Sequence, residues 1–339
     1  MKCIVELFTS KNEINRIKVS SFTKTQDLTE THLIENLTII IEKKLKEFSF
    51  ADLITTHSDV LLKQSKKGTI SLIYKNKSIS NIENDTNLPH NKPKDYIVSV
   101  SLPYLKDLGI VDYTGAIKPT MSHKFKQINR FVEIISHHVR MDHSRPIIVD
   151  MGSGKGYLTF ALHTYFADHL RLVPHISGFE LREDLVELCN KISEKYLMEG
   201  LHFEAKNIID ADLGEVDVLI ALHACDIATD MAIHKGIVSK AKYIVLSPCC
   251  HKQIRKEITM KNEITRYGIF EERMAEMITD TIRSLILNHY GYSTQIIEYI
   301  SSEHTSKNTM IIAKYTNINQ SNSLEKVADL KNQYGIGQL

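Results

Sequence analysis

Two short stretches concentrate the side chains able to do chemistry. One is Ile220-Ala-Leu-His-Ala-Cys-Asp-Ile-Ala-Thr-Asp230; the other is Leu246-Ser-Pro-Cys-Cys-His-Lys252. His223 or His251 can take a proton from an attacking oxygen or nitrogen, with Asp226 orienting the partner. A cysteine such as Cys249 can add to a pyrimidine ring if its thiolate is stabilised. Two Cys and two His can bind zinc, but the adjacent Cys249-Cys250 is unlike the spaced pair of a zinc site, and no metal is expected. Buried cysteines can also simply pack. We expect an acceptor-shaping pocket, with His223, Asp226, Cys249, Cys250 and His251 as the catalytic candidates.

A second group lies upstream. Ile147-Ile-Val-Asp-Met-Gly-Ser-Gly-Lys-Gly-Tyr-Leu runs from an apolar strand through three glycines into a helix. Gly152, Gly154 and Gly156 let the backbone turn sharply and a ligand approach it, and the helix beyond them offers free N–H groups. A phosphate-binding Walker loop needs Gly-x4-Gly-Lys-Ser/Thr, and here Lys155 precedes Gly156. A dinucleotide fingerprint needs Gly-x-Gly-x-x-Gly, and here the third glycine comes one residue early. What remains is Asp150-x-Gly-x-Gly-x-Gly. Glu180 ends the next apolar run, where a carboxylate can accept both hydroxyls of a ribose. Asn207, Ile208 and Asp210 follow the third run in a short turn-forming loop.

These groups must be held by a regular scaffold. From Pro146 onward, apolar runs alternate with amphipathic stretches, the pattern of a parallel sheet covered on both faces. The expected strands are Ile147–Met151, His175–Glu180, His202–Asn207, Val216–Leu222, Tyr243–Ser247, Ser293–Ile300 and Thr309–Tyr315. Leu185–Met198 and Glu271–His289 are among the expected helices. The last two strands, joined by a short loop, should form an antiparallel hairpin. Ligands of such sheets sit beyond the carboxyl ends of the strands, so both boxes and the glycine loop should share one edge.

The glycine loop resembles motif I of class I methyltransferases. The paired His-Ala-Cys-Asp and Pro-Cys-Cys-His boxes resemble one subgroup of them. It holds the methyltransferase-like domains of glutathione S-transferase C-terminal domain-containing proteins and, more distantly, tRNA ribose methyltransferases. The likeness spans about residues 118 to 316. It implies an α/β, Rossmann-like sheet of seven strands, S-adenosylmethionine as cofactor, and methyl transfer. Asp150, Gly152, Gly154, Gly156, Glu180, Asn207, Ile208 and Asp210 would then bind the cofactor.

The boundaries expected from composition are 1–90, a small α+β accessory domain; 91–145, a helical connector; 146–316, the catalytic domain; and 317–339, a polar, frayed tail. Within the first, Thr31 to Phe48 reads as a helix. Between 91 and 145, helices are expected over Val98–Leu108 and His123–His138. Net charge is only +1, so a nucleic-acid partner needs a local patch. Lys63 to Lys77 supplies five lysines, a tyrosine and no acid, and Lys63, Lys66, Lys67 and Tyr74 are candidates to hold phosphates and stack a base. Lys118, Lys124, Lys126, Arg130 and Arg140 add to this, and Lys124, Gln127 and Asn129 are candidates for the cofactor mouth. RNA is the expected substrate. A small-molecule or protein methyltransferase, or an RNA-binding protein that retains the cofactor fold, are the alternatives. Five cysteines in a chain of this length argue against a disulfide framework. With neither a signal peptide nor an apolar run near the ~18 residues a span requires, a cytoplasmic protein is expected.

Overall fold

The computed structural model describes residues 2–10, 13–22, 27–48, 50–54, 58–64, 70–76, 96–222, 226–260, 262–299 and 308–337. The chain divides into two compact units, Met1–Lys94 and Asp95–Leu339.

The first unit holds two antiparallel meanders. β1 (Lys2–Ser10), β2 (Glu13–Phe22) and β3 (Asp27–Leu33) form one sheet; β4 (Phe50–Ile54), β5 (Ser58–Gln64) and β6 (Ile70–Asn76) form the other. Ile17 and Val19 of β2 are buried while Arg16 is exposed, the two-residue period of a strand with one covered face. Between the meanders lies α1 (Leu37–Leu45). The helix expected from Thr31 is therefore shorter. Asp27–Leu33 pairs along its whole length with β2, and that ladder satisfies the backbone a helix would otherwise have satisfied.

The second unit is built on a seven-stranded sheet. Its strands are β7 (Ile147–Met151), β8 (His175–Glu180), β9 (Leu201–Ala205), β10 (Val218–Leu222), β11 (Tyr243–Ser247), β12 (Tyr292–Glu298) and β13 (Thr309–Tyr315), in the order β12-β13-β11-β10-β7-β8-β9. β7 to β11 run parallel, and β13 is antiparallel to both neighbours, as expected. The chain moves from β7 outward through β8 to β9, then returns to the other side of β7 with β10. The crevice between β7 and β10 is the switch point at which such sheets bind ligands.

Burial alternates along these strands. Ile148, Ile220 and Val245 face one core; Val149, Leu219, Ala221, Ile244 and Leu246 face the other. The first core is covered by α3 (Ser122–His138), α4 (Tyr157–Thr164) and α5 (Glu183–Lys195); α6 (Ile227–Val238) and α8 (Gly268–His289) contribute to the second. Residues of the expected connector, from Val98 to Val139, lie in the first core rather than in a separate module. Only Tyr104–Asp107 (α2) is helical in the segment expected as Val98–Leu108. Pro103 ends any helix approaching from upstream, and the Val98 backbone is clamped by Asn129, which accepts from its N–H at 2.9 Å and donates to its carbonyl at 3.3 Å.

The tail is not frayed. Ser323–Tyr334 forms a helix, α9, ended by Gly335 in the left-handed conformation. Val327, Leu330, Tyr334 and Ile336 pack with α8 and with α7 (Lys252–Glu257) in a third apolar cluster. Among the described residues no helix is long and apolar enough to cross a membrane.

Candidate active site

The glycine loop is shaped by bonds to the neighbouring strand. Phe179 O accepts from Gly152 N at 2.8 Å and from Ser153 N at 2.9 Å. Gly152, Gly154 and Gly156 all have positive φ, a conformation costly for residues with a side chain. Gly156 is also hemmed in: a Cβ there would lie 3.0 Å from the rings of Phe160 and Phe203.

Beside the loop opens a cleft of about 470 Å³. Asp150, Gly152, Gly154, Glu180, Asn207, Ile208 and Lys124 line it, as do Arg182, Lys155 and Lys206, which sequence reasoning did not single out. On the far side it meets Leu222, Ala228 and Met231. Gly156 serves the turn rather than the wall. Asp210 is exposed and lies off the cleft, contrary to expectation; the turn that begins at Asn207 directs it to solvent.

The two acids sit in different surroundings. Asp150 is buried and accepts a hydrogen bond from Thr159 Oγ1 at 2.7 Å. Burial pushes its pKa up to about 6, against the Thr159 bond and with help from the nearby Glu180 charge. For Glu180, burial also works against ionisation. The Arg182 hydrogen bonds and charge, with the Gly154 amide, outweigh it and hold this carboxyl below the usual range. Gly154 N donates to Glu180 Oε2 at 3.0 Å, while Arg182 N and Nε donate to Oε1 at 3.1 and 3.0 Å. Lys124 Nζ donates to Gln127 Oε1 at 2.8 Å, and burial lowers its pKa. Asn129, expected at the mouth, is turned into the core by its clamp on Val98.

The Cys/His boxes follow β10 and β11. His223, Lys66 and Lys67 lie outside the described residues. Neither Asp226 nor Cys249, Cys250 and His251 lines the cleft. Cys249 and Cys250 are half-buried with their sulfurs 3.7 Å apart. His251, proposed from sequence as a base, is buried, and its Nε2 pairs with Asp280 Oδ1 at 3.1 Å. Asp226 has φ +48°, and its carbonyl accepts from Arg283 Nη2 at 3.0 Å. Arg283 Nε also donates to Asp230 Oδ1 at 2.7 Å and Nη1 to Asp280 Oδ1 at 3.3 Å. The buried guanidinium on α8 thus holds the first box directly and reaches the second only through Asp280, the partner of His251. Sequence reasoning missed Arg283 and Asp280, because a charged residue on an amphipathic helix gives no sign that it points inward. Among the described residues no group of three His, Cys, Asp or Glu is placed to hold a metal ion. In the first unit, Lys63 is exposed at the end of β5, and Tyr74 lies in β6 opposite Val60.

Strand order, switch-point cleft and glycine loop define the class I methyltransferase architecture. Residues 123–257 match a family described as a methyltransferase domain. The glutathione S-transferase C-terminal domain-containing protein of Homo sapiens is 22% identical over 216 residues, covering 56% of this chain and 32% of that protein. Its Xenopus laevis counterpart is 28% identical over 151 residues, 44% of this chain and 23% of that protein. The chain thus spans about a third or less of the length of these relatives. An rRNA methylase from Streptococcus thermophilus superposes with a TM-score of 0.38 at 10% identity, over 56% of this chain and 96% of that one. Residues 123–257 of the chain are thus similar to a methyltransferase domain, set on a sheet of class I methyltransferase order.

Proposed function

We propose that the protein transfers the methyl group of S-adenosylmethionine to RNA. The observation that carries the transfer is the pair of differently tuned acids flanking a glycine loop at the switch point. The residues fit the cofactor. A buried carboxylate at Asp150 suits its amino-acid end, whose ammonium offsets the cost of burying that charge. Glu180 suits the ribose diol, and Asn207 and Ile208 border a slot for adenine. Gly154 leaves room where a side chain would intrude. The cofactor supplies an electrophilic methyl group on a sulfonium. The protein's own task is to align an acceptor beyond Leu222 and Met231, keep water away, and accept a proton where the acceptor carries one.

The choice of RNA rests on the basic run Lys63 to Lys77 in the accessory unit, with Lys63 exposed, and on exposed Lys126, Arg130 and Arg140 in the catalytic unit. Lys63, Lys66, Lys67 and Tyr74 are the candidate RNA contacts of the accessory unit, and Lys124, which lines the cleft, that of the catalytic unit. His223 remains the candidate proton acceptor among the box residues, since Asp226, Cys249, Cys250 and His251 do not line the cleft. The test is transfer of label from radiolabelled S-adenosylmethionine to total RNA from cells lacking this protein, beside total protein and a metabolite extract. Label in RNA is expected. Label confined to protein or metabolites would overturn the RNA assignment and leave methyl transfer standing.

A further inference from the structure

We infer that Arg182 sets the cofactor affinity by occupying the carboxylate oxygen that the ribose requires. The inference rests on the reading of Glu180 as ribose acceptor. A carboxylate offers about four lone-pair sites, two on each oxygen. On Glu180, Oε2 accepts one bond, from Gly154 N, and Oε1 accepts two, from Arg182 N and Nε. Oε1 is saturated and Oε2 has one site left. A vicinal diol gripping a carboxylate brings one hydroxyl to each oxygen, so the second hydroxyl can bond only if Arg182 Nε leaves.

The guanidinium also stands where the ligand must come. A Cβ built on Gly154 would lie 4.0 Å from both Arg182 Nη2 and Glu180 Oε2, so the arginine edge and the acid face the same corner of the loop. Both residues line the cleft.

Departure costs little. The Arg182 side chain is 63% exposed against 11% for Glu180, and ion pairs with one partner in water are weak and screened by salt. Glu180 does not lose its place when the arginine swings out, because the Gly154 and Arg182 backbone amides still hold it. Arg182 occupies the N-cap position of α5 without a side-chain cap bond, so replacing its side chain leaves the helix end intact. Arg182 is therefore a competitor for the ribose site, built two residues from the acid it blocks.

The test is calorimetric titration of the full chain with S-adenosylhomocysteine. Arg182→Ala is expected to bind about two- to fivefold more tightly than the wild type, the scale of a weak exposed pair. Arg182→Gln, which keeps a long polar side chain, is expected to gain similarly. In a Glu180→Gln background, where the neutral amide holds a guanidinium only weakly, the Arg182→Ala gain should shrink. Thermal unfolding without ligand checks that each variant is folded. Unchanged or weaker binding in Arg182→Ala and Arg182→Gln, or an equal gain in both backgrounds, would overturn the proposal. A wild-type chain that binds no S-adenosylhomocysteine would sink the cofactor reading itself, and this proposal with it.

Discussion

Arg283 and Asp230 are 53 residues apart in sequence, yet the guanidinium Nε donates to the Asp230 carboxylate at 2.7 Å. Arg283 is buried, and so is Asp280, which it also contacts. Removing the cation from such a group leaves carboxylates without compensation. Arg283→Leu is expected to cost about 3–5 kcal/mol in urea unfolding. Arg283→Lys, which keeps charge but loses the planar fork, should cost less. Affinity for S-adenosylhomocysteine should hold in both, since the Arg283 bonds go to Asp226, Asp230 and Asp280 and not to the glycine loop or Glu180. Equal stability of Arg283→Leu and wild type would refute the clamp.

Asp150 makes the protein sensitive to pH in a defined direction. Its folded pKa stands near 6, above the ordinary carboxylate value of 3.8. The folded state therefore holds this proton more tightly than the unfolded state. Stability from this group is fully present below pH 3.8 and is lost as pH rises through about 6. Asp150→Asn should flatten that segment of the stability profile and gain on the order of 1–3 kcal/mol at pH 7. It should also forfeit cofactor binding. Binding of S-adenosylmethionine near pH 6 should release protons, because its ammonium favours the charged acid. Titrations in two buffers of different ionisation enthalpy would measure this, and identical apparent enthalpies would contradict it.

The glycines should not respond alike. Gly154 has positive φ, and a Cβ there would make only ordinary contacts at 4.0 Å with Arg182 and Glu180, so Gly154→Ala should cost mainly the backbone strain of about 1–2 kcal/mol. Gly156→Ala adds a squeeze against Phe160 and Phe203, a further cost of about 1–3 kcal/mol. Gly154→Arg should melt close to Gly154→Ala, since both carry the same backbone strain, and abolish S-adenosylhomocysteine binding. Thermal melts of the three variants, with and without ligand, separate the two kinds of loss; a Gly156→Ala protein as stable as Gly154→Ala would rule out the packing role.

Much of this site can be read from the chain alone, and the reason is local. Asp150, Glu180 and the glycines lie where an apolar strand meets a turn, and a strand end fixes their position without distant information. Tertiary pairing decided the rest. Asp27–Leu33 has helix-compatible residues but joins the β2 ladder. α9 carries Val327 and Leu330 at helical spacing, with Gly335 as a stop, in a segment whose overall polarity suggested a tail. Arg283 and Asp280 differ from solvated helix residues only in what surrounds them after folding. His251 was legible as a titratable residue beside the site, but not as one turned toward α8.

Thiol reactivity offers a further check. Cys189 is buried, and burial, with the nearby Glu180 and Asp150 charges, pushes its thiol up to about 12. Cys249 and Cys250 are half-buried. Iodoacetamide at neutral pH should modify the 249–250 pair well before Cys189, as read by peptide mass spectrometry. Faster labelling of Cys189 would show that the α5 face opens in solution.

The sheet order also sets a timetable. β7 meets β8 after a single helix, but its other neighbour, β10, arrives only after α4, β8, α5 and β9. Closing the shorter loop first costs less chain entropy. The Phe179 bonds that shape the glycine loop and the Gly154 bond to Glu180 are made within that first stretch, whereas Leu222, Ala228 and Met231 belong to the second. The cofactor half can thus mature while the acceptor wall is still unformed, and a bound ligand would act as a folding template for the strands that dock later. Pulse-labelling hydrogen exchange should find β7 and β8 amides protected ahead of those in β10 and β11.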